Sequence, residues 1–252
     1  ELRRWNWRLV DPEGAWEGRR TNFLQGGAVY VAFGDFVQAR DRLGIYDEAA
    51  VIFLGDHGEM NCERALADKG VYGHPKAARV PLSLKLPGVR SGAREVEAPV
   101  SLLDIAPTVL GLAGAGPSER LDGECLIPLT QGTASPRQKP ILFECGWHVC
   151  PNPAVSALTE LPDGRRLMYT YNLTSDLDEL YDLDDLTYRD LSQDAAYTEV
   201  KAQMIRRLAA ILESDPRWTC YWHTMRLGKY DELDVAGGDF QMFRPGRQCG
   251  RR

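Results

Sequence analysis

The chain has 252 residues, 44% of them hydrophobic and 26% charged, the make-up of a globular protein with room for one large domain or a domain and a small appendage. Its formal net charge of −6 gives no electrostatic footing for a nucleic-acid partner. No apolar run approaches the ~18 residues that a membrane helix needs, so no membrane segment is expected.

Taken in chain order, residues 1–22 are rich in Trp, Arg and Gly and show no clear period. Residues 23–44 read as a helix, weakened by Gly26, Gly27 and Gly34 and carrying Arg40 where an apolar residue is expected. Residues 50–54 (Ala-Val-Ile-Phe-Leu), set between Asp47-Glu48 and Gly55, read as a short strand buried on both faces. An irregular loop follows to about Lys76, and residues 80–86 give the next strand. Residues 102–112 read as a helix that begins near Pro107, because proline is tolerated in a first turn. Residues 141–144 are another short strand.

Beyond about residue 145 the pattern becomes antiparallel. Residues 157–161 and 166–171 flank Pro162-Asp163-Gly164 as a hairpin, and residues 180–183 can pair beside it. Val200, Met204, Leu208, Ile211 and Leu212 recur at helical spacing, so residues 197–213 form an amphipathic helix that Asp215-Pro216 ends. Residues 216–252 read as a loop-rich tail anchored by Trp218, Tyr221 and Trp222. The expected division is a first domain over 1–144 and a C-terminal subdomain over 145–252, the latter holding the hairpin, the helix and the tail.

The densest chemistry is Asp56-His57-Gly58-Glu59, directly after strand 50–54. Ligands of α/β sheets bind beyond the carboxyl ends of such strands. A carboxylate oxygen beside an imidazole nitrogen at that spot makes half of a metal site, and Gly58 lets the backbone turn sharply. Alone, the pair reads better as a helix-cap or turn aspartate and a satisfied surface histidine. Downstream stand Asp68-Lys69-Gly70, Arg79-Val80-Pro81-Leu82 and a closing Pro87-Gly88. Then come residues 100–110 (V-S-L-L-D-I-A-P-T-V-L), Asp122-Gly123, Pro128-Leu129-Thr130-Gln131-Gly132 and Glu179-Leu180-Tyr181-Asp182-Leu183.

In this order and spacing the motifs resemble the sulfatase family of the alkaline-phosphatase-like superfamily, over roughly residues 25–215. The matching patterns are D-H-G-[DE]-M, V-S-x-x-D-x-x-P-T-x-L, a D-G…P-L-L-x-G loop and an E-L-Y-D-L strand. The resemblance implies an α/β fold: part of a doubly wound sheet, with a small C-terminal antiparallel sheet plus helix. It implies a sulfuric ester hydrolase in which Asp56 and His57 ligate a divalent metal, calcium as usual in the family, with Mn2+, Mg2+ or Zn2+ as alternatives. Lys69 matches the family lysine that contacts the sulfate, a catalytic and substrate-binding role. The chemistry needs it, because attack at sulfur piles negative charge on oxygens that a fixed ammonium stabilises. His74 is a second substrate-binding candidate. In related phospho-transferases a Gly-His pair near here faces the active site, whereas sulfatases usually have a tyrosine there. Arg64 stands where many members carry histidine. Asp104 and Pro107-Thr108 are expected to set a helix start, Asp184-Asp185 to form a solvated turn, and His148 and His223 to be structural. The expected partner is a sulfated small molecule or sulfated carbohydrate.

One family feature does not occur. The nucleophile motif Cys/Ser-x-Pro-x-Arg, whose first residue becomes formylglycine, has no match. Ser214-Asp215-Pro216-Arg217 comes nearest, with its Arg one place early. The expectation is the C-terminal portion of a longer enzyme, inactive by itself, with formylglycine supplied from upstream. Two rivals stand beside it. One is a phosphodiester or phosphonate hydrolase, or a phosphoethanolamine-type transferase, of the same superfamily; a functional His74 favours it, as Lys69 favours sulfate. The other is a non-catalytic remnant or interaction module. The six cysteines form no paired C-x-x-C zinc pattern. Cys145 and Cys150 allow a local disulfide, Asn172-Leu173-Thr174 is a glycosylation sequon, and the compartment stays open.

Overall fold

The structure is a computed structural model that describes residues 12–62, 69, 73–89, 92, 94–116, 118, 120–133, 137, 141–148, 150–173 and 178–227. The chain divides into two compact units. Unit 1 comprises residues 1–70 and 76–139, and unit 2 comprises 71–75 and 140–252.

Unit 1 opens with helix α1, Pro12–Arg42. It starts well before the residue 23 expected from sequence. Pro12 stands at its first position, where the missing N–H is no loss, and the three glycines weaken the helix without ending it. Arg40, out of place on an apolar face, lies over the Phe36 ring at 4.6 Å. Strand β1, Val51–Leu54, pairs antiparallel with β2, Leu82–Lys85, in the register Val51↔Lys85 to Leu54↔Leu82. Phe33 of α1 meets Phe53 of β1 with ring centroids 4.6 Å apart. β1 is half-buried rather than buried on both faces, and Leu54 is 37% exposed. Among the described residues the sheet has only these two strands, so neither strand is flanked on both edges.

Polar bonds hold much of unit 1. The Lys85 ammonium donates to the carbonyls of Tyr46, Asp47, Ala49 and Leu86 at 2.8–3.3 Å, closing the turn before β1. After β2, Ser101 caps a 3-10 turn over Leu102–Asp104 in a reciprocal capping box with Asp104. That turn leads into α3, Ile105–Leu112, with Pro107 inside its first turn. Two short helices remain: α2, Pro75–Ala78, of which residues 76–78 lie in unit 1, and α4, Ile127–Thr130.

Unit 2 is built on a four-stranded antiparallel meander: β3, Ile141–His148; β4, Cys150–Glu160; β5, Arg166–Asn172; and β6, Glu179–Asp182. Residues 141–144 pair with β4 and so belong to this sheet. The β4–β5 hairpin turns at residues 162–164, where Gly164 takes φ +85°. Helix α5, Thr198–Ser214, covers one face, burying Ala202, Met204, Ile205, Leu208, Ala209 and Leu212. These pack with Val155, Ala157, Leu167, Tyr169, Tyr171 and Leu180. Burying each large side chain contributes roughly 1.5–3 kcal/mol before entropy is subtracted. Met168, Tyr181 and Tyr188 form a smaller cluster on a second face of the sheet.

The region after α5 is not all loop. Asp215 ends α5, and its carboxylate accepts from the Arg217 N–H, capping a 3-10 turn at Pro216–Trp218. Helix α6, Thr219–Leu227, follows. Tyr221, Trp222 and Met225 are buried in the main core with Trp218 packed against it. The short period of this helix is masked in the sequence by Pro216 just before it.

Candidate functional site

The site forms where β1 gives out. Gly55 extends the pairing by donating to the Pro81 carbonyl at 3.1 Å, so Asp56 and His57 emerge just past the strand end. Gly58 is required by close approach rather than by a left-handed turn. Its N–H donates to Ala77 O at 2.8 Å, and a Cβ there would lie 1.9 Å from Lys76 O. Any other residue would force the two backbone segments apart.

Three of the candidate side chains come together. The His57 N–H donates to Asp56 Oδ1 at 2.9 Å. His57 Nδ1 lies 2.8 Å from Gly58 O; a carbonyl only accepts, so Nδ1 carries the proton and Nε2 carries the lone pair. Lys69 Nζ lies 3.0 Å from that Nε2 and donates to it. Asp56 Oδ2 stands 3.7 Å from His57 Nε2. The Asp56 carboxyl is held below the ordinary carboxylate range, first by the His57 backbone N–H and, further down, by the charge of Lys69. Asp56 is therefore ionised at neutral pH.

Residues that the sequence reading did not single out shape the next turn. Asn61 and Cys62 have φ of 50° and 63°, a left-handed pair that is uncommon outside glycine. The Asn61 N–H donates to Glu59 Oε1 at 3.1 Å. From α1, Arg19 Nε donates to Asn61 O at 3.0 Å and Asn22 Nδ2 to Asn61 Oδ1 at 3.2 Å. Met60 and Cys62 are buried on either side. The only sequence signal was an Asn in a loop, a residue type that tolerates this conformation.

The donor chemistry fits a share of a divalent-metal site. Asp56 offers an ionised carboxylate, and His57 has its Nδ1 tied to a backbone carbonyl, the usual arrangement of a ligating histidine; its Nε2 lone pair accepts from Lys69 and would ligate a cation only once Lys69 has turned away. Among the described residues, no cluster of three or more His, Cys, Asp or Glu could hold a metal. A hard cation such as calcium takes six to eight oxygens, so these two would be a minority of its donors.

The remaining candidates fall elsewhere. His74 lies in unit 2, 4% exposed, with its ring edge-on to Tyr181 at 5.0 Å and Tyr188 at 6.0 Å. Arg64 and Asp68 lie outside the described residues, as do the side chains of His148, His223 and Cys150. Cys145 carries a thiol rather than a disulfide. Asn172 of the sequon is buried, which keeps a glycan off it in this fold. Asp184 pairs with Arg166, and Asp185 accepts from the Thr187 N–H at 3.0 Å in an exposed turn.

Asp104 is 0% exposed and structural. Its carboxylate accepts from the N–H groups of Ser101 and Glu124, both at 2.7 Å, and from Arg137 at 2.5 Å. Thr108 Oγ1 donates to Asp104 O at 2.6 Å and accepts from the Leu126 N–H at 2.8 Å. Between them lies Gly123, where a Cβ would meet Leu103 O at 2.1 Å. The V-S-x-x-D-x-x-P-T and D-G motifs are thus two halves of one clip.

The family described as N-sulphoglucosamine sulphohydrolase, C-terminal, matches residues 62–214. The choline-sulfatase of Rhizobium meliloti (strain 1021) is 28% identical over 243 residues, covering 89% of this chain and 45% of that protein; the chain thus spans about half of that relative. The solved structure of BT1596, a 2-O GAG sulfatase, superposes with TM-score 0.61 at 20% identity, over 75% of this chain and 40% of that one. BT4656, solved in complex with its substrate D-glucosamine-2-N,6-O-disulfate, gives 0.58 at 17% identity, over 71% and 37%. The two structures share the fold, an α/β sulfatase portion with a small antiparallel sheet and helices. With more than half of its length matched by the family's C-terminal region, the chain belongs to the sulfatase family.

Proposed function

We propose that this chain supplies metal- and sulfate-binding residues to a formylglycine-dependent sulfatase that hydrolyses the sulfate ester of a carbohydrate. The observation that carries the reading is the meeting of Lys69 Nζ and His57 Nε2 at 3.0 Å beside the ionised Asp56, just past the end of β1. Asp56 and His57 would hold a divalent cation, for which calcium is the candidate. When bound, the cation supplies fixed positive charge against the sulfate oxygens. Lys69 places an ammonium in the same locality, where charge builds up as the ester oxygen leaves. The nucleophile would come from outside these 252 residues, since Cys/Ser-x-Pro-x-Arg does not occur in them.

Two observations support sulfate over phosphoryl chemistry and a sugar over other alcohols. The phosphoryl reading calls for His74 at the reacting group, and His74 is buried between tyrosine rings. Of the structural relatives, BT1596 is a 2-O GAG sulfatase and BT4656 is bound to its substrate, a disulfated glucosamine.

The test is made in the full-length enzyme. Asp56→Ala and His57→Ala should lower both bound metal and turnover. Lys69→Ala should cut turnover by about 10²–10³-fold while stability changes by no more than about 0.5 kcal/mol. The 252-residue chain alone should hydrolyse no sulfate ester. Unchanged metal stoichiometry in both metal-site variants, or wild-type turnover in Lys69→Ala, would overturn the assignment.

A further inference from the structure

The His57 ring is held from behind. Its Nδ1 is tied to Gly58 O at 2.8 Å, and the Gly58 N–H is in turn tied to Ala77 O at 2.8 Å. Gly58 has no room to shift toward that segment, since even a Cβ on it would lie 1.9 Å from Lys76 O. The imidazole plane is therefore set, and the single in-plane lone pair of Nε2 points one way. Lys69 Nζ lies 3.0 Å from this nitrogen and uses that lone pair.

The ammonium has gone to the imidazole rather than to the carboxylate. Asp56 Oδ1 accepts from the His57 backbone N–H at 2.9 Å, and Oδ2 stands 3.7 Å from His57 Nε2. The Asp56 side chain is 87% exposed, against 40% for His57, so the carboxylate is the donor more open to an arriving ion. One lone pair serves one partner. An ammonium and a metal ion cannot share it, and two cations brought that close also repel. Of the groups around His57, Lys69 is the one able to leave, because its stem is flexible and its ammonium is well hydrated in water.

We propose that His57 Nε2 is a contested position: Lys69 holds it until Asp56 and His57 take a divalent cation, and the ammonium so released turns to the sulfate. The proposal rests on the metal- and sulfate-binding roles given above and adds an order to them, cation first and sulfate second. Asp56 makes the first contact, and His57 joins once Lys69 has turned away. Only hydrogen bonds and ligation change. Nδ1 keeps its proton throughout, and Lys69 leaves as an ammonium.

The full-length enzyme, stripped with a chelator and titrated with Ca2+ alone by calorimetry, reads the exchange without reference to activity. Lys69→Met keeps an unbranched stem and removes the ammonium. It should bind Ca2+ about five-fold tighter than wild type, the gain expected when one hydrogen bond no longer has to be broken. The gain should persist at about 1 M salt, where the screening length falls to about 3 Å. Unchanged affinity, or a gain that vanishes in salt and so reflects repulsion at a distance, overturns the exchange. A second reading needs no variant. Acetylation of Lys69 by an amine-reactive ester, followed by mass spectrometry, should speed up about five-fold when Ca2+ is added and slow again when inorganic sulfate follows. Lys201, which donates to Ser192 O at 3.2 Å in unit 2, is the control and should respond to neither. Sulfate without Ca2+ should leave Lys69 unprotected. Labelling indifferent to Ca2+, or protection by sulfate alone, overturns the order. Failure of the underlying reading shows separately, as wild-type Ca2+ stoichiometry in both Asp56→Ala and His57→Ala, or wild-type turnover in Lys69→Ala.

Discussion

The two units of this chain are held together by different physics. In unit 2 a meander and α5 enclose Tyr169, Leu180, Met204, Leu208 and Leu212, all at most 1% exposed. Among the described residues of unit 1 the buried apolar ones are few, namely Met60, Cys62 and Leu126, while Phe23, Tyr30, Val31 and Leu54 are among many large apolar side chains that face outward. Its order comes instead from side chains that bond backbone: Asp104 and Thr108 in the clip, Lys85 on four carbonyls, and Arg19 and Asn22 on Asn61. Asp56, His57 and Lys69 all lie in the unit that is organised by polar bonds. Such bonds fix positions without demanding a large core, which suits the placing of charges proposed for this unit.

The largest expected effect tests the polar side of this contrast. Asp104→Ala removes the acceptor of two backbone N–H groups and of the part-buried Arg137, and should cost about 3–5 kcal/mol, read by urea unfolding followed at a unit 1 probe. A cost under about 1 kcal/mol would show that the clip is incidental. Leu208→Ala tests the apolar side. It opens a cavity under the sheet of unit 2 and should cost about 2–5 kcal/mol, with unit 1 probes unmoved if the units unfold separately.

pH gives a subtler separation. Burial, with the nearby charge of Asp178 as the second cause, raises the Tyr169 hydroxyl well above its usual pKa. Burial likewise raises Tyr221, helped by its 2.6 Å bond to Glu144. The unfolded chain ionises these groups near pH 10 while the folded chain keeps their protons. Their contribution is therefore whole below about pH 10 and is lost as pH rises toward the folded values. Alkaline melting should begin in unit 2, and Tyr169→Phe should flatten that limb. The Asp56 shift is downward, so any contribution it makes is present above about pH 4 and is lost as pH falls. A Tyr169→Phe variant with an unchanged alkaline limb would remove this distinction.

The smallest effect concerns the apolar surface of α1. Phe23 is 81% exposed, and Phe23→Ser should alter stability by no more than about 0.5 kcal/mol while reducing self-association in sedimentation. A loss above about 2 kcal/mol would mean that Phe23 is covered in solution, and the contrast between the units would be overdrawn.

The sequence by itself determined the elements whose pattern is local. The 3.6-residue recurrence from Val200 to Leu212 gave α5, the Pro-Asp-Gly turn gave the hairpin, and Asp56-His57 followed by Lys69 in family order marked the candidate site. It also separated Asp104 and Thr108 from the chemistry, because capping is a relation between near neighbours. It missed the first turns of α1 and the whole of α6, where Gly and Pro obscure the period and packing supplies the stability. Only the tertiary structure decided what depends on residues far apart in sequence. Gly58 is glycine because Lys76 O crosses it. Asp104 is buried because residues 123 and 124 close over it. The Gly73-His74 pair, which reads in sequence as part of the substrate loop, is held by Thr170 and Tyr181 about a hundred positions away. A side chain's type limits the bonds it can make, but which partner it meets is set by the fold.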